Sequence, residues 1–141
     1  MGYTHYWNQR RDFTDDEWKR VQMGVRNILT SAEVDEIPLG NGMGEGTPVI
    51  EADHISFNGL GDDGHETCYL SRKQPPCPEW KSQADYDQRG AFDFCKTARK
   101  PYDPVVVSVL NFLVTEFPSV ISASSDGADE GLPVEDSHYY P

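Results

Sequence analysis

Positive charge is scarce in this sequence and missing altogether from two long stretches. No Lys or Arg occurs from Asn27 to Glu66, against nine carboxylates, nor from Pro101 to Pro141, against seven. The 12 basic residues fall between Arg10 and Arg26 and between Arg72 and Lys100, and the formal net charge is −12. Such a field opposes phosphate neutralisation, so direct binding of nucleic acid or of an anionic membrane surface is not expected. No apolar run approaches the roughly 20 residues of a membrane span. The first residues hold neither a basic segment nor an apolar stretch, and Tyr6 stands where a myristoylation signal needs Ser or Thr. Neither a secretory signal nor a lipid anchor is therefore expected. Cysteine is sparse as well. Cys68, Cys77 and Cys95 are odd in number and form no CxxC pair, which argues against a disulfide framework and a zinc ribbon and for reduced thiols in the cytoplasm.

Aromatic residues are plentiful, with three Trp, seven Tyr and six Phe in 141 residues, enough to build one core at single-domain length. Thr14-Asp15-Asp16-Glu17 is a capping box with acids at the positive end of the helix dipole. Trp18, Val21, Val25, Ile28 and Leu29 follow at helical spacing, predicting a helix of about 15 residues, with Phe13 packed on Trp18 as a staple. Asp103-Pro104 reads as a cap followed by proline at the first helical position. The stripe from Val106 to Phe117 predicts a second, more buried helix that Pro118 stops. Shorter strands are expected near 3–7, 49–50, 54–58, 67–70 and 120–124. Residues 72–90, with Pro75, Pro76 and Pro78, read as a long surface loop. Strands grouped between helices predict an α+β fold, with two main helices on one face of a mostly antiparallel sheet and a ferredoxin-like arrangement as the specific form. A single domain over 1–127 precedes a loosely held acidic tail at 128–141.

Two glycine-rich stretches invite functional readings that their context weakens. Gly40 to Gly46 resembles a phosphate loop, yet it runs into the strand signal Thr47-Pro48-Val49-Ile50, whereas phosphate loops open a helix. Gly61 to Thr67 sets Asp62, Asp63, His65 and Glu66 close together, but adjacent strand residues face opposite ways. Without a second ligand pair no metal site is assigned there, and no cofactor is signalled. A Ser125, His65, Asp126 triad is combinatorially allowed, but no nucleophile-elbow pattern supports it.

The most informative block is Phe94 to Asp103. Lys96, Arg99 and Lys100, with the Thr97 hydroxyl, stand just before a helix in a chain otherwise short of cations, a composition suited to holding an anion. Ser124 to Gly127, at the end of a strand, adds hydroxyls. Met1 to Trp7, Phe57-Asn58-Gly59, Gly64-His65-Glu66-Thr67, Phe94 to Asp103 and Ser124 to Gly127 together resemble a family of small uncharacterised proteins of phages, bacteria and fungi. That resemblance spans most of the chain to about Gly127. It implies no particular reaction, and it implies that the polar blocks belong together.

The resulting expectation is a pocket for a small anionic, nucleotide-like ligand, formed by residues 96–100 and the His65/Glu66 segment. His65 and Glu66 are the candidate catalytic groups, and His5 is available with them as an acid/base group. Lys96, Thr97, Arg99, Lys100, Tyr102, Ser125, His5 and Trp7 are the candidate binding residues, with Tyr6, Trp7 and Tyr102 as rings for stacking. The alternative is an acidic interaction protein, of phage type, that inhibits a partner protein by presenting nucleic-acid-like charge. Whether a reaction is catalysed is open at this level.

Overall fold

Thr14 opens the first long helix as its sequence dictates. Its hydroxyl accepts the Glu17 amide at 3.2 Å, and the Glu17 carboxylate accepts the Thr14 amide at 2.9 Å. Arg11 closes on the same carboxylate at 2.9 Å. That hydrogen bond, with the one from the Thr14 amide, holds Glu17 down at about 2. Phe13 completes the staple, its ring centroid 5.6 Å from that of Trp18.

The structure, a computed structural model, describes residues 3–126. The acidic tail expected at 128–141 lies outside the described residues. Along the chain run β1 (Thr4–Gln9), α1 (Asp15–Val34), β2 (Leu39–Gly40), β3 (Val49–Ile50), β4 (His54–Gly59), a 3-10 turn (Gly61–Asp63), β5 (Cys68–Ser71), α2 (Gln83–Arg89), β6 (Ala91–Lys96), α3 (Asp103–Glu116) and β7 (Ile121–Ser125). The α1 helix outruns its expected length because its buried stripe continues beyond Leu29 to Ala32.

The strands form two antiparallel sheets. One has the order β6-β1-β7, and the other the order β2-β4-β3 with β5 also on β4. β1 is antiparallel to both its neighbours, pairing His5 with Cys95 on one side and with Ser125 on the other. A split β-α-β unit needs parallel neighbours, so the fold is α+β without the ferredoxin-like strand order. Glu66 joins the two sheets, its amide donating to the Lys96 carbonyl at 3.1 Å.

Helices α1 and α3 share one core, in which Val21, Val25, Val106, Val109 and Leu110 are fully buried. Their approach depends on Gly24: a Cβ there would lie 2.1 Å from the Phe112 ring. Gly40 to Gly46 forms a turn rather than a helix start, with Asn41 Oδ1 accepting the Met43 amide at 2.8 Å. This agrees with the reading that rejects a phosphate loop.

Three elements, the two-residue strand β2 (Leu39–Gly40), α2 and β6, depart from expectation. The stretch read as a long loop contains α2, whose first turn is capped by Ser82 accepting the Asp85 amide at 3.1 Å. Strand β6 also goes unforeseen, because its polarity is inverted. Its inward positions are Ala91, Asp93 and Cys95, while Phe92 and Phe94 are 38% and 47% exposed.

Candidate functional site

Alternation along β1 places His5 on the buried side with Tyr3 and Trp7. A fully buried imidazole must find partners for both nitrogens, and His5 finds them on two other elements. Nδ1 lies 2.6 Å from Ser125 Oγ, at the end of β7, and Nε2 lies 2.7 Å from Asp103 Oδ1, at the start of α3. The Thr97 hydroxyl donates to the same Asp103 oxygen. A carboxylate only accepts, so Nε2 carries the proton given to Asp103, and Nδ1 faces the Ser125 hydroxyl. The result is a continuous chain, Ser125–His5–Asp103, with Thr97 at its far end.

Asp103 was expected to cap α3, but its carboxylate is used elsewhere. The helix begins at Asp103 itself, and Tyr102 in the cap position makes no side-chain cap bond. Burial opposes ionisation of Asp103. Hydrogen bonds from His5 and Thr97, with the charges of His5 and Arg99, outweigh it and hold the carboxyl below its ordinary value. The helix N-terminus adds in the same direction.

The cationic block bends sharply beside this chain. The Lys100 amide donates to the Thr97 carbonyl at 3.0 Å, across a turn whose central residues, Ala98 (φ 52°) and Arg99 (φ 57°), are both left-handed. That is the type I′ arrangement, which favours Asn and Gly. Here it is built from residues that pay about 1–2 kcal/mol each to adopt it. The Tyr3 carbonyl pins the turn, accepting the Thr97 amide at 2.9 Å and the Ala98 amide at 3.3 Å. The turn carries Arg99 over the Tyr3 ring, with Cζ 4.5 Å from the centroid. Tyr3 in turn meets His5 edge-on at 4.9 Å. Lys96 and Lys100 form no ion pair among the described residues, in a chain with 24 acids.

The expected site residues thus fall into two connected groups. His5, Thr97, Arg99 and Ser125 meet around Asp103. Glu66 is held at Lys96, whose amide donates to its Oε1 at 2.7 Å. The Lys96 side chain shares the outer face of β6 with Phe92 and Phe94 by alternation. His65 is exposed, its amide and carbonyl both bound to the Asn58 side chain at 3.0 Å. Ser125 meets His5 rather than His65, and the carboxylate on that histidine is Asp103 rather than Asp126. Asp126 instead ties down the opening strand, accepting from the Thr4 amide at 2.9 Å and from Tyr6 at 2.8 Å.

Trp7 and Tyr102 do not offer rings to a ligand. Trp7 is 3% exposed and Tyr102 fully buried, both within the core. Tyr102 donates its hydroxyl to the Glu66 carbonyl at 2.5 Å. Burial first, and the nearby Cys95 thiol second, push its phenol far above the ordinary value.

Asp103 is the functional candidate that sequence reasoning passed over. Its signal lay in His5, an inward histidine in an alternating aromatic strand, which requires a buried acceptor from elsewhere in the chain. The geometry defines an α+β domain with a serine–histidine–aspartate chain, its histidine fully buried, beside a strained cationic turn. Comparison of this chain with family models, with curated proteins and with solved structures finds no match. Among the described residues no helix is long and apolar enough to cross a membrane.

Proposed function

We propose that this protein binds a small anionic ligand at the Lys96–Lys100 turn, beside Glu66 and the Ser125–His5–Asp103 chain, where acid/base groups are at hand to process it. The observation that carries the reading is the turn itself. Two non-glycine residues are held left-handed to set Arg99 next to the His5 network, and backbone strain of this kind collects at functional sites. Lys96 and Lys100, unpaired among the described residues, add positive charge where the rest of the chain is acidic. Charge-assisted bonds to a bound anion exceed the under about 1 kcal/mol of an exposed ion pair, which favours a ligand over internal pairing as their role. His65, exposed beside Glu66, remains an acid/base candidate at the rim.

The test is a thermal-shift and calorimetric titration with inorganic phosphate and with nucleoside phosphates, on the wild type and on Arg99→Ala. Stabilisation of the wild type that is absent from the variant supports the site. A second reading draws on the net charge of −12 and the exposed acids of α1 and the 3-10 turn: an acidic surface that occupies a nucleic-acid-binding partner protein. If no anion stabilises the wild type and Arg99→Ala lowers the melting temperature, the cationic turn is structural and this second reading takes precedence.

A further inference from the structure

Three features place Ser125 differently from an ordinary surface hydroxyl. Its Oγ lies 2.6 Å from Nδ1 of a fully buried histidine whose other nitrogen is fixed by Asp103. Ser125 itself is only partly buried and ends β7, at an edge of the three-stranded sheet. Its own amide also faces outward. Antiparallel neighbours alternate between hydrogen-bonded and non-hydrogen-bonded pairs. Asp126 donates its amide to the Thr4 carbonyl at 3.0 Å, so the adjoining His5·Ser125 pair is the non-bonded kind. The Ser125 N–H therefore points away from β1, and the two side chains stand close on one face.

We propose that Ser125 is a nucleophile for acyl transfer from carboxylic esters, with His5 as its general base and Asp103 as the group that orients His5. The proposal rests on the ligand-site reading above for its location and adds the reaction performed there. Ser125 Oγ forms a bond to the ester carbonyl carbon as its proton passes to His5 Nδ1. The Ser125 amide is the donor the chain offers to the developing oxyanion, as such donors do in acyl transfer. The carbon–oxygen bond to the leaving alcohol breaks, and His5 returns the proton to that oxygen. Water then attacks the acyl-serine, giving one proton to His5, which passes it back to Ser125 Oγ as the acid departs. The sum is ester plus water to acid plus alcohol, with no other reactant. Throughout, His5 Nε2–H stays on Asp103, whose second partner, the Thr97 hydroxyl, keeps the carboxylate aimed. Relative to the usual serine–histidine–aspartate order the two ring nitrogens are exchanged, which the roles allow because either nitrogen can serve as base when the other is held.

The experiment treats the full chain with a neutral alkyl fluorophosphonate, which adds a phosphonyl group to an activated serine with loss of HF. Intact mass and peptide mapping follow. The expected result is one adduct, on Ser125, absent from Ser125→Ala and formed on the order of 10²-fold more slowly in Asp103→Asn, with circular dichroism confirming the fold. No adduct on the folded wild type, an adduct elsewhere, or an unchanged rate in folded Asp103→Asn overturns the proposal. The adduct position on the wild type decides the matter even if a variant does not fold. Phosphate stabilisation measured in parallel keeps the two readings apart. Stabilisation without labelling removes the nucleophile and leaves the ligand site, whereas labelling without stabilisation does the reverse.

Discussion

Replacing Ala98 by Gly should stabilise this protein, against the usual effect of adding a glycine. Ala98 and Arg99 sit at φ 52° and 57°, a region that costs an L-residue with a Cβ about 1–2 kcal/mol. Glycine removes that cost at position 98 but gives the unfolded chain more freedom, a loss of about 0.4–1 kcal/mol. Ala98 has only a methyl group to lose, so the net gain is about 0.5–1 kcal/mol. Arg99→Gly relieves the same strain but also removes the guanidinium from the Tyr3 ring, a contact worth about 0.5–1 kcal/mol, and should come out near zero. Ala84→Gly, in the first turn of α2 and exposed, has no left-handed backbone to relieve and should destabilise by up to about 1 kcal/mol. The assay is urea unfolding followed by tryptophan fluorescence, read as a shift in midpoint at constant slope. A lower midpoint for Ala98→Gly, or equal losses for Ala98→Gly and Ala84→Gly, would show that the turn is not held left-handed and would refute the reasoning.

Removal of the α1 cap by Thr14→Ala breaks the bond to the Glu17 amide and should cost about 1 kcal/mol, seen in the same urea assay. An unchanged midpoint would mean the cap carries no stability. Asp103 is held below its ordinary value of 3.8. The stability it contributes is present in full above that value and is lost as pH falls through the folded one. Wild type should therefore exceed Asp103→Asn in stability at pH 5, with the gap closing as the pH is lowered below about 3.8. A gap independent of pH would sever the carboxylate from this role.

Much of this architecture is local and therefore visible in the sequence. The capping box at Thr14, the Phe13 staple and the α1 and α3 stripes depend on residues within a few positions of one another, and the structure contains them all. So does the α+β class, because strands grouped between helices leave few other ways to cover an apolar face. The clustering of Lys96, Arg99 and Lys100 was likewise legible, since charge composition needs no fold to be read.

The serine–histidine–aspartate chain was not legible, and the reason is distance along the chain. His5, Asp103 and Ser125 come from three elements separated by 98 and 120 positions from the histidine, and nothing local links them to one another. His65 looked the better base because it adjoins other polar residues. His5, also available as an acid/base group, gains its partners only when β1 enters the middle of a sheet, between β6 and β7, and buries its imidazole. Asp103 looked like a helix cap because capping is its commonest role at such a position. The tertiary structure gave its carboxylate two stronger donors in His5 and Thr97. Strand β6 was hidden for a related reason: its aromatics face outward, so the alternation points the wrong way until the neighbouring strand is in place. Sequence alone determined the two long helices, α1 and α3, and where the cations lie, since those follow from near neighbours. Which histidine, which carboxylate and which serine meet was decided only by strand order and register, which bring distant residues within 3 Å through pairings that no local pattern encodes.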